Sequence, residues 1–245
     1  MKISKWGLVL GLGALLTVGR VMAFGDFEGQ VDMKMTHKGS DKSNSIQYLV
    51  KGSKLRMQME GAESKYKVGS IMDMKKHQVI TIMDDKKMYM VTDIHPEKFT
   101  GPKKDHHFSI KKTGHSEIIL GYSCQEWDYS SDDSSGKMWF AKGIGNWWGN
   151  AMASQSDKLP SDQKAMVKTM LSEKLFPMKY QFNDKAGNPT AMMEVTNIEK
   201  KSLSSSLFEV PAGYKKMDMP SFGGDGSGKK PSKEDIMKMI QQYKH

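Results

Sequence analysis

Methionine is the residue whose type and spacing could do chemistry in this sequence. The chain holds 22 methionines in 245 residues, and they recur as Met-x-Met in "VDMKMT" from Val31, "RMQME" from Arg56, "IMDMK" from Ile71, "KMYMV" from Lys87, "KMDMP" from Lys216 and "IMKMI" from Ile236. On a strand, residues i and i+2 point to the same face, so each pair outside the last would set two thioethers side by side. Three chemistries compete for such a surface. Methionine can simply fill an irregular core. It can line an adaptable apolar cavity that accepts several ligand shapes. It can also offer soft ligands that select Cu(I), with His37, two positions from Met35, as an added donor.

The other reactive residues point less clearly to a site. Cys124 lies in "GYSCQEW" downstream of His115 and Glu117, but no nucleophile motif surrounds it, and a lone cysteine reads as a buried structural thiol. His106 and His107 are adjacent, so on a strand they point oppositely and cannot share a metal. "FAKGIGNWW" has glycines without the lysine and hydroxyl of a phosphate loop or the spacing of a dinucleotide fingerprint. With no paired carboxylates, nucleophile elbow or ligand cluster, the expectation is a protein that is not an enzyme. It assigns no catalytic residues, no metal ligands and no cofactors.

The elements that would position the methionines follow from alternation. Phe27, Val31, Met33 and Met35 occupy odd positions while Glu28, Gln30, Asp32 and Lys34 occupy even ones, the period of a half-buried strand. Leu55, Met57 and Met59 alternate in the same way, as do Met88 and Met90. Further short strands follow, with Ser116–Tyr129 read as one of them. The predicted sheet is an antiparallel meander, apolar on one face and solvated on the other. Two helices interrupt it late: "GNWWGNAMASQSDKL" from Gly145, and a second starting at Ser161 as N-cap, with Met166, Val167, Met170 and Leu171 at helical spacing.

The N-terminus reads as a secretory leader, with Lys2 and Lys5 before an apolar run and "RVMA" ahead of a cleavage expected after Ala23. The apolar run is shorter than the roughly 20 residues that span a bilayer. Removing Lys2, Lys5 and Arg20 with the leader lowers the formal charge from +9 to +6. The lysines are dispersed, unlike the basic stripe of a nucleic-acid binder. The predicted organisation is a signal peptide at 1–23, a β domain at 24–220, a Gly/Lys-rich linker at 221–231 and a short amphipathic helix at 232–245.

"TGHSEIILGYSCQEWDY" (113–129), "GKMWFAKG" (136–143) and "SLFEVPAGYKKM" (206–217) resemble exported bacterial proteins grouped as a domain of unknown function, the DUF4412 family. The closing Phe208–Tyr214 segment also resembles the last strand of the LolA/LolB-like lipoprotein carriers. That resemblance implies a mainly β (α+β) fold from about Phe27 to Pro220. It would be an incomplete antiparallel β-barrel whose concave apolar face is covered by helices. No catalytic or binding residues carry over from either group.

The expectation is therefore a monomeric, non-enzymatic periplasmic or secreted protein that holds an apolar small molecule or lipid. Its ligand face would comprise Val31, Met33, Met35, Leu55, Met57, Met59, Met88 and Met90, under a lid of Trp147, Trp148, Met166 and Met170. An anionic membrane surface is the candidate second partner, and nucleic acid is not expected. A Cu(I) binder using the Met pairs, and an envelope-associated interaction protein, are the alternatives.

Overall fold

A computed structural model describes residues 27–61, 68–94, 108–132, 134–153 and 161–217. The expected leader, linker and C-terminal helix lie outside the described residues, as do Met219, His106 and His107. The alternating segments form strands: β1 (Gly29–His37), β2 (Ser43–Lys51), β3 (Lys54–Gly61), β4 (Val68–Asp73), β5 (Gln78–Met83) and β6 (Met88–Asp93). They pair antiparallel in sequence order. After β7 (Phe108–Ile119), β8 (Tyr122–Ser131) and β9 (Ser135–Ala141) come the helices α1 (Trp147–Ala153) and α2 (Ser161–Glu173). The chain then returns through β10 (Phe176–Asn183) and β11 (Pro189–Lys200) and ends in the two-residue β12 (Lys215–Lys216).

The strands make one twelve-stranded sheet in the order β12-β6-β5-β4-β3-β2-β1-β11-β10-β9-β8-β7. β11 closes back onto β1 from the far side, while β12 and β7 remain at opposite edges, so the barrel is incomplete as expected. Every pairing is antiparallel except β12 with β6, which is parallel.

Two expectations need correction. The segment Ser116–Tyr129 is not one strand: Ile119 pairs with Tyr122, and Leu120 and Gly121 turn the chain with φ of 50° and 81°. Two consecutive left-handed residues are what a tight two-residue hairpin requires. Nor is the sheet solvated on one side throughout. Leu49, Ile71 and Ile82 on β2, β4 and β5 are buried on the second face beneath Leu203 and Phe208. The segment after β11 runs across that face as a strap. Arg56 donates to the Leu207 carbonyl (2.8 Å) and Tyr214 to Asp84 (2.7 Å). Glu28 accepts from the Leu203 amide (2.7 Å) and from Lys51 (2.8 Å).

The helices cover the other face. Trp147 is fully buried and packs on Tyr48 and Phe176, with ring centroids 5.5 Å and 5.1 Å away. α2 lays Met166 and Met170 over Trp127, Met138 and Phe140 in a second cluster. Where the helices meet, Gly149 leaves room for Leu171: a Cβ there would stand 2.9 Å from Leu171 Cδ2.

Candidate functional site

Strand register places the expected ligand-face residues on one side of the sheet. Val31 stands opposite Tyr48, Tyr48 opposite Met57, Met57 opposite Ser70, Ser70 opposite Thr81 and Thr81 opposite Met90, a single row across six strands. Directly opposed residues share a face, and alternation within each strand carries Met33, Met35, Leu55, Met59 and Met88 to the same side.

They do not share one environment. Val31 and Met33 are packed in the main core with Trp147 and Phe176. Met35 joins a row with Met193, Tyr180, Met138 and Trp127 toward the α2 end of the sheet. Met88 is buried and Met90 half-buried near the β6 edge, while Met59 is 47% exposed. Met33 borders a separate polar hollow with Asp32 and Gln47, and Leu55 and Met57 line a mainly apolar cavity on the helix-covered face.

That cavity, about 330 Å³, lies between β2–β6 and α1. Its floor is Tyr48, Leu55, Met57, Ser70, Met72, Val79 and Thr92, with Asp93 and Ile94 at the β6 end; Trp148, Ala151 and Met152 form its roof. The volume falls at the small end of the roughly 300–1,000 Å³ typical of small-molecule sites. Trp148 meets the Tyr48 ring edge-on at 5.4 Å, fixing the wall between cavity and core. Burial pushes the Tyr48 hydroxyl up to about 12, so it stays a neutral phenol. Asp93 accepts from the Gln78 side chain (3.0 Å).

Of the four expected lid residues, Trp148 alone roofs the cavity. Trp147 is core, and Met166 and Met170 belong to the α2 cluster. The reading from sequence missed Tyr48, Met72, Val79, Ala151 and Met152. Met72 could have been found, because the "IMDMK" pair obeys the same alternation and register sets it opposite Leu55.

Among the described residues the remaining reactive side chains form no site. The Cys124 thiol is buried, donates to the Tyr122 carbonyl (3.3 Å) and is pushed up chiefly by desolvation. His115 is exposed, 3.8 Å from Glu126. Glu126 is itself held low by its hydrogen bond from Lys137 (2.5 Å). Among the described residues no three His, Cys, Asp or Glu side chains gather as a metal site. Among them, too, no helix is long and apolar enough to cross a membrane.

Residues 27–214 match the profile of the family described as "Domain of unknown function (DUF4412)". No curated protein matches the chain. Among solved structures it is similar to an uncharacterized conserved protein from Thermus thermophilus, at 8% identity and a TM-score of 0.47 over 78% of this chain and 90% of that one. It is similar to PNGF-II at 13% identity and a TM-score of 0.43, over 87% of this chain and 32% of that one. A putative outer membrane lipoprotein-sorting protein domain from Vibrio parahaemolyticus matches at 10% identity and a TM-score of 0.26, over 76% of this chain and 89% of that one.

Proposed function

We propose, for a chain that belongs to the DUF4412 family, a non-enzymatic role in the bacterial envelope: holding an acyl chain or comparably slender apolar ligand in the cavity beneath α1. The observation that carries the reading is the cavity itself, about 330 Å³ and walled mainly by Leu55, Met57, Met72, Val79, Trp148, Ala151 and Met152. A rigid filled core favours Val, Ile and Leu with defined rotamers. The thioether side chains grouped here instead adapt to ligands of varying shape. Envelope location is proposed on the leader read at residues 1–23.

Titration with cis-parinaric acid, whose fluorescence rises in an apolar site, tests the reading. Saturable one-to-one binding that Met57→Asp abolishes and Met59→Asp preserves is expected. Equal binding by wild type and Met57→Asp would count against it.

A second reading has its own observation. Met57, Met72 and Met152 bring three thioethers around the same cavity, a soft donor set suited to Cu(I). Cu(I) binding tighter than micromolar against a competing chelator, lost in the Met57→Leu, Met72→Leu double variant, would favour the metal.

A further inference from the structure

One end of the sheet carries a row of lysines that, among the described residues, have no carboxylate partner. Register defines it: Lys200 stands opposite Gly29, Gly29 opposite Val50, Lys51 opposite Lys54, Lys54 opposite Asp73, Asp73 opposite Gln78 and Gln78 opposite Asp93. The loop after β9 joins the same end, where Lys200 Nζ donates to the Gly143 carbonyl (3.4 Å).

Lys54, Lys75, Lys76, Lys142, Lys174 and Lys200 all lie along this end and, among the described residues, have no carboxylate partner. The nearby acids are engaged elsewhere. Asp73 is buried and accepts from the Lys75 and Lys76 amides, at 3.1 Å each. Asp93 takes the Gln78 amide, and Glu28, Glu199 and Glu173 pair with Lys51, Lys201 and Lys112. At the opposite end Asp41, Asp84, Asp85, Asp132 and Asp184 stand among Lys38, Lys42, Lys86, Lys87, Lys185, Lys215 and Lys216, so that end is basic too among the described residues, and an apolar hairpin tip is what sets the first end apart.

Two further features share the first end. The β7–β8 hairpin tip presents Ile118, 69% exposed, and Leu120, 49% exposed. Leu120 holds a left-handed φ of 50°, a conformation that asparagine or glycine adopts with less strain. An apolar side chain kept at a solvent-facing, strained turn fits insertion into an apolar medium better than hairpin stability. At the same end, Lys174 and Lys200 flank a hollow of about 300 Å³ at the Gly143–Asn146 loop, large enough for a phosphate-bearing headgroup. The cavity also reaches this end, through Leu55, Met72, Val79 and Asp93.

We propose that this end of the sheet docks on an anionic lipid bilayer, its lysines on the headgroups and Ile118 and Leu120 in the interfacial acyl region. The proposal rests on the cavity reading in one respect: the bilayer is the source or destination of the apolar chain. Basic charge alone would equally suit an acidic glycan. The exposed apolar tip selects a bilayer, where amphipathic surfaces gain from both terms.

Sedimentation of the purified chain with phosphatidylglycerol/phosphatidylethanolamine vesicles, against phosphatidylcholine vesicles, tests it. Partition onto the anionic vesicles is expected, weakening with salt. Juxtamembrane lysines each contribute about fivefold, so the triple variant Lys75→Glu, Lys142→Glu, Lys174→Glu should lose about 100-fold or more. The same reversal at the opposite end, Lys38→Glu, Lys86→Glu, Lys87→Glu, should lose less than about tenfold, although it changes net charge equally. Leu120→Asn, which suits the turn, should lower partition about tenfold with an unchanged melting temperature.

Equal loss in the two triple variants, or no preference of wild type for anionic vesicles, would overturn the docking surface. Parinaric acid binding measured without vesicles keeps the two claims apart. Its failure with vesicle partition intact removes the cavity ligand alone, and its success without partition removes the docking alone.

Discussion

Ala151 faces the cavity from α1, so replacing it with phenylalanine plugs the space where a ligand would lie. A phenyl ring occupies the room of about four methylene groups, and at about 0.8 kcal/mol per buried CH₂ the ligand loses about 3 kcal/mol of contact. That is roughly a 200-fold weaker dissociation constant. The fold should notice far less. Burying the ring returns about 1.5–3 kcal/mol, and crowding against Tyr48 and Met57 costs about 1–3 kcal/mol. The two nearly cancel, leaving the melting temperature within about 4 °C of wild type. The assay pairs a parinaric acid titration with thermal unfolding of both proteins. Unchanged binding in a folded Ala151→Phe protein would refute the reasoning, because a ligand that tolerates the plug is not in this cavity. Ala151→Leu, a smaller plug, should fall between the two.

Further expectations follow from burial and charge. Met33 is 2% exposed and Met59 47%, so Met33→Ala should cost about 3 kcal/mol in urea unfolding, while Met59→Ala stays within about 0.5 kcal/mol. The Glu28 carboxyl is held below its ordinary 4.5, first by Lys51 and then by the Leu203 amide. A depressed carboxyl stabilises the folded state above its unfolded value and loses that contribution as pH falls through the folded one. The strap should therefore loosen only below about pH 4.5, seen as a falling protection factor for the Leu203 amide, and Glu28→Gln should remove that pH dependence. Tyr48 works in the opposite direction. Its hydroxyl is raised from 10 to about 12, so folding favours the protonated form and stability falls by about 2–3 kcal/mol as pH rises across that interval. Ultraviolet titration of wild type against Tyr48→Phe should show the missing tyrosine ionising near pH 12.

Much of the architecture was legible because alternation in a half-buried strand is a local signal. Val31, Met33 and Met35, or Leu55 and Met57, reveal their face without reference to anything distant. The β7–β8 hairpin escaped because its turn is Leu120-Gly121: the leading residue is apolar and continues the run "EIIL", where an asparagine would have marked the break. The strap was missed for a different reason. Ile71 beside Met72, and Val79, Ile80 and Ile82 together, place apolar residues at both parities of β4 and β5. That is the signature of strands covered on both faces, but the cover itself, Leu203 and Phe208, comes from far along the chain. The candidate site was the least legible part. Eight residues shared the predicted face, yet which of them border open space depends on where α1 rests. That position is set by Trp147 docking on Tyr48 and Phe176 and by Gly149 meeting Leu171. Such contacts have no sequence period.

The most direct test of the central claim is native mass spectrometry of the protein isolated from cells without detergent, beside its denatured mass. A heterogeneous adduct of lipid or fatty-acid mass, lost on denaturation and absent from Ala151→Phe, is the predicted result. A bare mass for wild type that stays bare after incubation with fatty acid would contradict the account, and leave Met57 and Met72 as packing at the edge of the core.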